Sequence, residues 1–431
     1  MKPGARIQAA IEIIDIICES MDEGGAAADQ IVRQYFARRR YAGSKDRRAV
    51  RHQVYWILRR RGEIEWRLQQ AGKVFSGRWA LLTAVVLPHD ADTFMEEGIE
   101  ALFTGGKYSP EEPNEDEQAF VAQVQADPQP ELPDWAVGNY PDWMDASLKN
   151  RFGSELPNAL EGLAGRATLD LRVNLLKASQ EKVLAALEGA QPTKWSPNCV
   201  RLEVETNIQS DPAFREGWVD IQDEGSQLAA LLTGVLPGMT VLDYCAGAGG
   251  KSLAMSAAMN NEGSIYAYDS ATDRLERINP RAKRLFVDNI NIIKKLEPIF
   301  KDMDKVVLDV PCSGTGTWRR SPELRWRLTS ERLEEYRSEQ QTILLDGSNR
   351  VAIGGQLIYI TCSLLPEEDE QQIEWFLEQQ SGFKLVPYGE NLSSIDGELP
   401  ETLSSIPECL LLAPHKHDTD GFFVAVLERV N

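Results

Sequence analysis

The sequence predicts an α/β protein. A doubly wound, mostly parallel sheet fills its C-terminal half, preceded by a small α/β module and an all-helical N-terminal unit. Three observations carry this. From about Gly217 onward, apolar runs of strand type alternate with amphipathic helical stretches, the pattern of parallel sheets with crossover helices. Gly247, Gly249 and Gly250 form a turn between a strand-like and a helix-like segment, where a backbone can approach a ligand closely. Residues 1 to about 80 carry helical periodicity throughout.

A chain of 431 residues, 42% of them hydrophobic, has room for two or three domains with real cores. The expected division is 1–134, 135–216 and 217–431. No apolar run approaches the roughly 18 residues that cross a membrane, and the charged start is unlike a signal peptide. The six cysteines form no C-x-x-C pair and histidines number four. That predicts a reduced, cytoplasmic protein without a metal centre.

The net charge of −20 conceals segregation. Residues 31–67 hold twelve Lys/Arg against three acids, whereas residues 90–134 hold thirteen acids against one lysine. Such a basic patch can engage nucleic-acid phosphate while acidic surface repels it elsewhere.

In chain order, IQAAIEIIDIICESM is a helix ended by Gly24-Gly25, and a second helix runs from Ala28 to Arg39. A third, RRAVRHQVYWILRRRG, is capped by Asp46 and lined with arginines around Tyr41, Tyr55 and Trp56. WALLTAVVLP is core helix and SPEEPNEDEQ an exposed loop. PDWAVGNYPDWMDASLKNRFG forms one or two short helices, with Trp135, Tyr140 and Trp143 as packing residues. ATLDLRVN, SQEKVLAALEG and CVRLEVE make a β-α-β module. GWVDIQ opens the third unit as a short strand, and the helix after SIYAYDS breaks at Pro280. INII, KVVLD, GGQLIYIT, FKLV and GFFVAVLERV supply further strands.

Two places carry chemistry. KVVLDVPCSGTGTWRRSPELRW ends a strand on Asp309 and presents Cys312; GGQLIYIT ends on Thr361 and presents Cys362. Open α/β sheets bind ligands at the carboxyl ends of their strands. Two cysteines there, one beside an acid, outweigh the ordinary role of cysteine as a small buried hydrophobe. Asp269 lies twenty residues beyond Gly249, the offset at which an acid meets ribose hydroxyls. There is no GxxxxGK[ST] loop for nucleotide hydrolysis. Asp243, ending the strand before the glycines, repels phosphate and suits the cationic methionine end of S-adenosylmethionine. Arg319 and Arg320 are candidates for target phosphates, and His417 reads as structural.

VLDYCAGAGGKSL, DVPCSGTGTWRR and YITCSLLPEED together resemble the RsmB/Nop/Sun family of RNA cytosine-5 methyltransferases. LRVN at 171–174, VDIQDEGSQL at 219–228 and DGFFVAVLER at 420–429 match further pieces, and the N-terminal helices resemble the NusB-like RNA-binding domain of bacterial members. The resemblance implies a Rossmann-like methyltransferase domain after a small RNA-recognition-like module. It implies S-adenosylmethionine as cofactor and RNA, ribosomal RNA first, as partner. Carried over by motif, Cys362 is the nucleophile, Cys312 assists breakdown of the adduct, and Asp309 holds ring nitrogen 3. Asp243, Cys245, Ala246, Gly247, Ala248, Gly249, Gly250, Lys251, Asp269, Arg274 and Asp309 hold the cofactor. The sequence departs from the family twice. CAGAGGK replaces the commoner CAAPGGK, and NINIIKKLEP has no aspartate after the third strand near the adenine. Transfer RNA remains a substrate alternative. A DNA cytosine methyltransferase using Cys312 and a non-catalytic assembly factor are the competing classes.

Overall fold

A computed structural model describes residues 1–22, 25–87, 98–204, 206–297, 300–392 and 398–431. Gly24, residues 88–97 of the acidic stretch, and Glu205 lie outside these. The chain forms two compact units: Met1–Ala164 with Arg320–Thr329, and Gly165–Arg319 with Ser330–Asn431.

The first unit is helical. Its longest helices are Pro3–Asp22 and Ser44–Arg59. Ile7, Ile13, Ile14, Val50, Val54 and Ile57 are wholly buried in its core. Asp46 is not the cap of the third helix but its third residue; it accepts the amide of Gly43, the residue that does cap it. SPEEPNEDEQ is only partly loop, because Asn114 and Glu117 form a capping box that starts helix Glu115–Ala126. The short helices at 134–164 pack with the first unit: the Asn139 side chain accepts from the Gly62 amide at 2.7 Å and donates to Leu58 O. Residues 320–329, expected in the catalytic domain, are also built into this unit. Arg325 is fully buried there and donates to the carbonyls of Gly138, Asn139 and Leu163. No described helix is long and apolar enough to cross a membrane.

Among the described residues the second unit holds twelve strands in two sheets. β1 (Leu169–Val173), β2 (Gln191–Pro192), β3 (Cys199–Leu202) and β4 (Val219–Ile221) pair antiparallel in the order β2-β3-β1-β4. GWVDIQ therefore closes the small module instead of opening the large sheet. A three-residue strand carries no period that assigns it to a sheet.

β5 (Thr240–Asp243), β6 (Ser264–Ala267), β7 (Ile290–Ile292), β8 (Met303–Asp309), β9 (Val351–Thr361), β10 (Phe383–Val386), β11 (Leu410–Leu412) and β12 (Phe422–Arg429) form the large sheet. Its order is β10-β12-β9-β8-β5-β6-β7, with β11 beside β12. The five strands from β9 to β7 run parallel; β10, β11 and β12 pair antiparallel. The fold is Rossmann-like. Val241, Val307, Ile358, Ile360 and Val424 pack in its core, where strands covered on both faces read as continuous apolar runs. The helix after β6 breaks at residues 276–277, not at Pro280. Pro280 is the third residue of helix Ile278–Leu285, in a first turn whose amides need no helical partner.

Candidate active site

The order of strands sets the site. The chain runs from β5 outward through β6 to β7, then returns to the other side of β5 as β8 and β9. The reversal opens a crevice beyond the carboxyl ends of β5 and β8. Asp243 and Asp309, the last residues of those strands, both stand there.

The loop after β5 is shaped by its backbone. Gly247 and Gly249 have φ of +53° and +79°, in the left-handed region that favours glycine. A Cβ on Gly249 would also lie 2.7 Å from Ile278 Cγ1. Cys245 is partly buried, and burial raises its thiol well above the usual range. The Ala246 amide donates to Tyr268 O, and the Gly249 amide to Ala246 O. Arg281 donates to Ala248 O at 2.6 Å and Arg172 to Gly250 O at 3.0 Å. Asp220 pairs with Arg281 at 2.6 Å and Arg284 at 2.5 Å, and lies 3.9 Å from Arg172. Sequence reasoning left Arg172, Asp220 and Arg281 without a role, although LRVN and VDIQDEGSQL contain the first two.

Asp269 is buried, with its oxygens accepting the amides of Gly247 and Ala271, both at 2.8 Å. It therefore shapes the loop directly. Arg274 is mostly exposed and lies 3.9 Å from Asp269. Asp243 is fully buried; Ser252 donates to one oxygen, and the other, Oδ1, has no hydrogen-bond partner among the described residues. Burial pushes its carboxyl up to about 7. An unpartnered buried acceptor below a glycine turn, with open space beside Gly250, fits S-adenosylmethionine better than a phosphate-rich dinucleotide. No aspartate follows β7, as the sequence indicated, and Glu297 is exposed.

The cysteines follow neighbouring parallel strands. Asp309 of β8 stands beside Ile360 of β9, so the two loops leave the sheet at the same level. Cys312 Sγ and Cys362 Sγ are 3.4 Å apart, and both residues are partly exposed. The hydrogen bond with Cys362, followed by burial, holds the Cys312 thiol well above the usual range. Asp309 is paired with Lys251, Nζ to Oδ2 at 2.7 Å; Lys251 is buried and Asp309 partly exposed. The Lys251 ammonium is thus engaged by the acid. The Gly316 amide donates to Cys362 O, and a Cβ on Gly316 would stand 2.3 Å from Gly421 O.

One expectation changes and another holds. Arg319 is buried between Asp420 at 2.6 Å and Asp223 at 3.1 Å, so it is not available to phosphate. His417 is buried, with Nε2 2.8 Å from Glu401 O and Nδ1 at the Ala413 backbone, a structural residue as expected.

A doubly wound sheet with a glycine turn at its reversal point, beside a buried acid of which one oxygen has no hydrogen-bond partner among the described residues, is the arrangement of an S-adenosylmethionine-dependent methyltransferase. Comparison with known proteins narrows this. Residues 232–428 match the family described as 16S rRNA methyltransferase RsmB/F, and residues 140–209 match its ferredoxin-like domain. The probable ribosomal RNA small subunit methyltransferase B of a Synechocystis strain is 33% identical over 303 residues, 68% of this chain and 67% of that protein. The ribosomal RNA small subunit methyltransferase B of Salmonella heidelberg is 28% identical over 89% of this chain and 90% of its own. The solved structure of PH0851 has a TM-score of 0.79 at 26% identity, covering 100% of this chain and 99% of its own. The chain belongs to the RsmB/F family and is an RNA methyltransferase.

Proposed function

We propose that the protein methylates carbon 5 of a cytosine in 16S ribosomal RNA, through a transient bond between Cys362 and carbon 6 of that base. The approach of two cysteine sulfurs to 3.4 Å at the carboxyl edge of the sheet carries this reading. Carbon 5 of cytosine is a poor nucleophile. Addition of a thiolate to carbon 6 makes carbon 5 enamine-like, dividing one difficult step into two easier ones.

Cys362 is the attacking group. Cys312 keeps its proton and stands within hydrogen-bond reach of Cys362 Sγ. Asp309 and the Lys251 ammonium paired with it face ring nitrogen 3, and the pair supplies the hydrogen that this nitrogen accepts as the thiolate adds. Asp243, the loop from Cys245 to Lys251, Asp269 and Arg274 hold the cofactor, which when bound supplies an electrophilic methyl group on a sulfonium. Once Cys362 Sγ is bonded to carbon, the chief cause of the raised value at Cys312 is gone. Cys312 then passes its proton to water and, as thiolate, accepts the one that leaves carbon 5. The C5–C6 double bond re-forms, the C6–S bond breaks, and Cys362 departs as thiolate. The base must leave its stack to reach these sulfurs, which favours an unpaired target. The helical NusB-like unit presents exposed Arg38, Arg40, Arg48 and Arg51 beside Tyr41, which is 73% exposed; such a surface suits RNA phosphates.

Cys362→Ala abolishes both methylation and the covalent RNA–protein species on denaturing gels, whereas Cys312→Ala accumulates that species. The reverse pattern makes Cys312 the nucleophile and overturns the assignment. Bisulfite sequencing of 16S rRNA from a deletion strain shows one cytosine losing protection; full retention of protection removes that RNA as substrate.

A further inference from the structure

We propose that Glu368 is the positioning residue that sets the separation of Cys312 and Cys362, using the serine that follows each cysteine. The inference rests on the reading of those two sulfurs as the reacting pair. Glu368 lies in the stretch PEEDE just after the second cysteine loop and is fully buried. Its Oε1 accepts the Ser313 amide at 2.8 Å and Gln340 Nε2 at 3.1 Å. Its Oε2 accepts the hydroxyls of Ser313 and of Ser363, the latter at 2.6 Å. One carboxyl group therefore bridges two loops that lie fifty residues apart in the chain.

The bridge has no slack in its donors and acceptors. With the two serine hydroxyls directed at Glu368, Ser363 Oγ is left to accept the Leu365 amide at 3.0 Å. Thr315 Oγ1, 3.2 Å from Ser363 Oγ, accepts the Leu364 amide at 2.7 Å. The Glu368 backbone is held as well, its carbonyl accepting from Tyr359 at 2.7 Å. Burial raises the carboxyl of Glu368, opposed by the four hydrogen bonds it accepts. A buried carboxyl so fully engaged specifies geometry, because turning either serine away leaves a buried polar group unsatisfied. This gives the repeated Cys-Ser pair a physical reason: each serine docks its cysteine loop on the same acceptor.

The separation of the sulfurs can be read without activity. Diamide removes two electrons and two protons from a neighbouring thiol pair, and mass spectrometry of peptides counts the Cys312–Cys362 disulfide. In Glu368→Gln an amide donor faces two hydroxyl donors, so the loops part. Disulfide formation slows about tenfold or more, and kcat falls between about tenfold and a hundredfold, as for a displacement near 1 Å. KM for RNA and the dissociation constant for S-adenosylmethionine stay within about twofold. Ser363→Ala, which removes one arm and keeps the carboxyl, changes both in the same direction but less, and adds little to Glu368→Gln in a double-mutant cycle; it also serves if Glu368→Gln does not fold. Wild-type rates of disulfide formation in both variants overturn the clamp. Slower disulfide formation with unchanged kcat leaves the clamp standing and overturns the sulfurs as the reacting pair.

Discussion

The two halves of the site are built by different means. The loop after β5 takes its shape from backbone: left-handed glycines, carbonyls held by Arg172 and Arg281, and an amide held by Asp269. The loops after β8 and β9 take theirs from side chains, with Glu368 gathering two serines. A cofactor that is the same in every turnover can be met by main-chain groups. The reaction proposed at sulfur needs particular atoms at a particular separation, which side chains supply. This explains why CAGAGGK departs from CAAPGGK without losing a donor, while the cysteines keep their serines.

The contrast is sharpest in the variants with the largest effect. Cys362→Ala removes methylation entirely, yet leaves S-adenosylmethionine affinity within about twofold, because no cofactor-loop contact is altered. A parallel loss of cofactor affinity, measured by equilibrium dialysis, would merge the two halves into one.

Asp243 is the exception on the cofactor side, and pH exposes it. Burial raises its carboxyl to about 7 from 3.8. The folded protein thus keeps a proton there that the unfolded chain loses near pH 4. Stability falls as pH rises from about 4 to about 7 and levels off above. Each pKa unit is about 1.4 kcal/mol, so this acid contributes a loss on the order of 4 kcal/mol by pH 8. Asp243→Asn carries no such loss and unfolds at higher urea than the wild type at pH 8, with the gap closing toward pH 4. Equal pH profiles for the two proteins would mean that Asp243 is ionised in its buried place. Gly249→Ala is expected to cost somewhat less, roughly 2–3 kcal/mol, from a left-handed side chain and the 2.7 Å approach to Ile278; urea titration reads it directly.

Most of the large sheet was legible because its strands are apolar runs separated by amphipathic helices, and both cysteines stood out by their place after such runs. Long-range partners were not legible. Arg319 looked like a phosphate ligand because its acids, Asp223 and Asp420, lie 96 and 101 residues away. Glu368 is one of several neighbouring acids in PEEDE, and only the fold brings Ser313 to it. Residues 320–329 read as catalytic loop, since nothing local in SPELRW announces that Arg325 will be buried among carbonyls of the helical unit. Periodicity reports which face is buried, not what a buried polar group will meet.

The smallest effect tests whether the cofactor loop is held from outside. Arg281 joins Ala248 O to Asp220, and so joins the glycine turn to the antiparallel module through β4. Arg281→Ala removes one charge-assisted bond to the loop, about 1–2 kcal/mol, or about tenfold in S-adenosylmethionine affinity. Asp220 retains Arg284, so the module itself stays folded. Because the change acts on the loop and not on the sulfurs, saturating S-adenosylmethionine restores kcat, and diamide joins Cys312 to Cys362 at the wild-type rate. A fall in kcat that excess cofactor does not repair would mean that the arginine cluster also governs the cysteine loops, and that the two halves of the site are one structure.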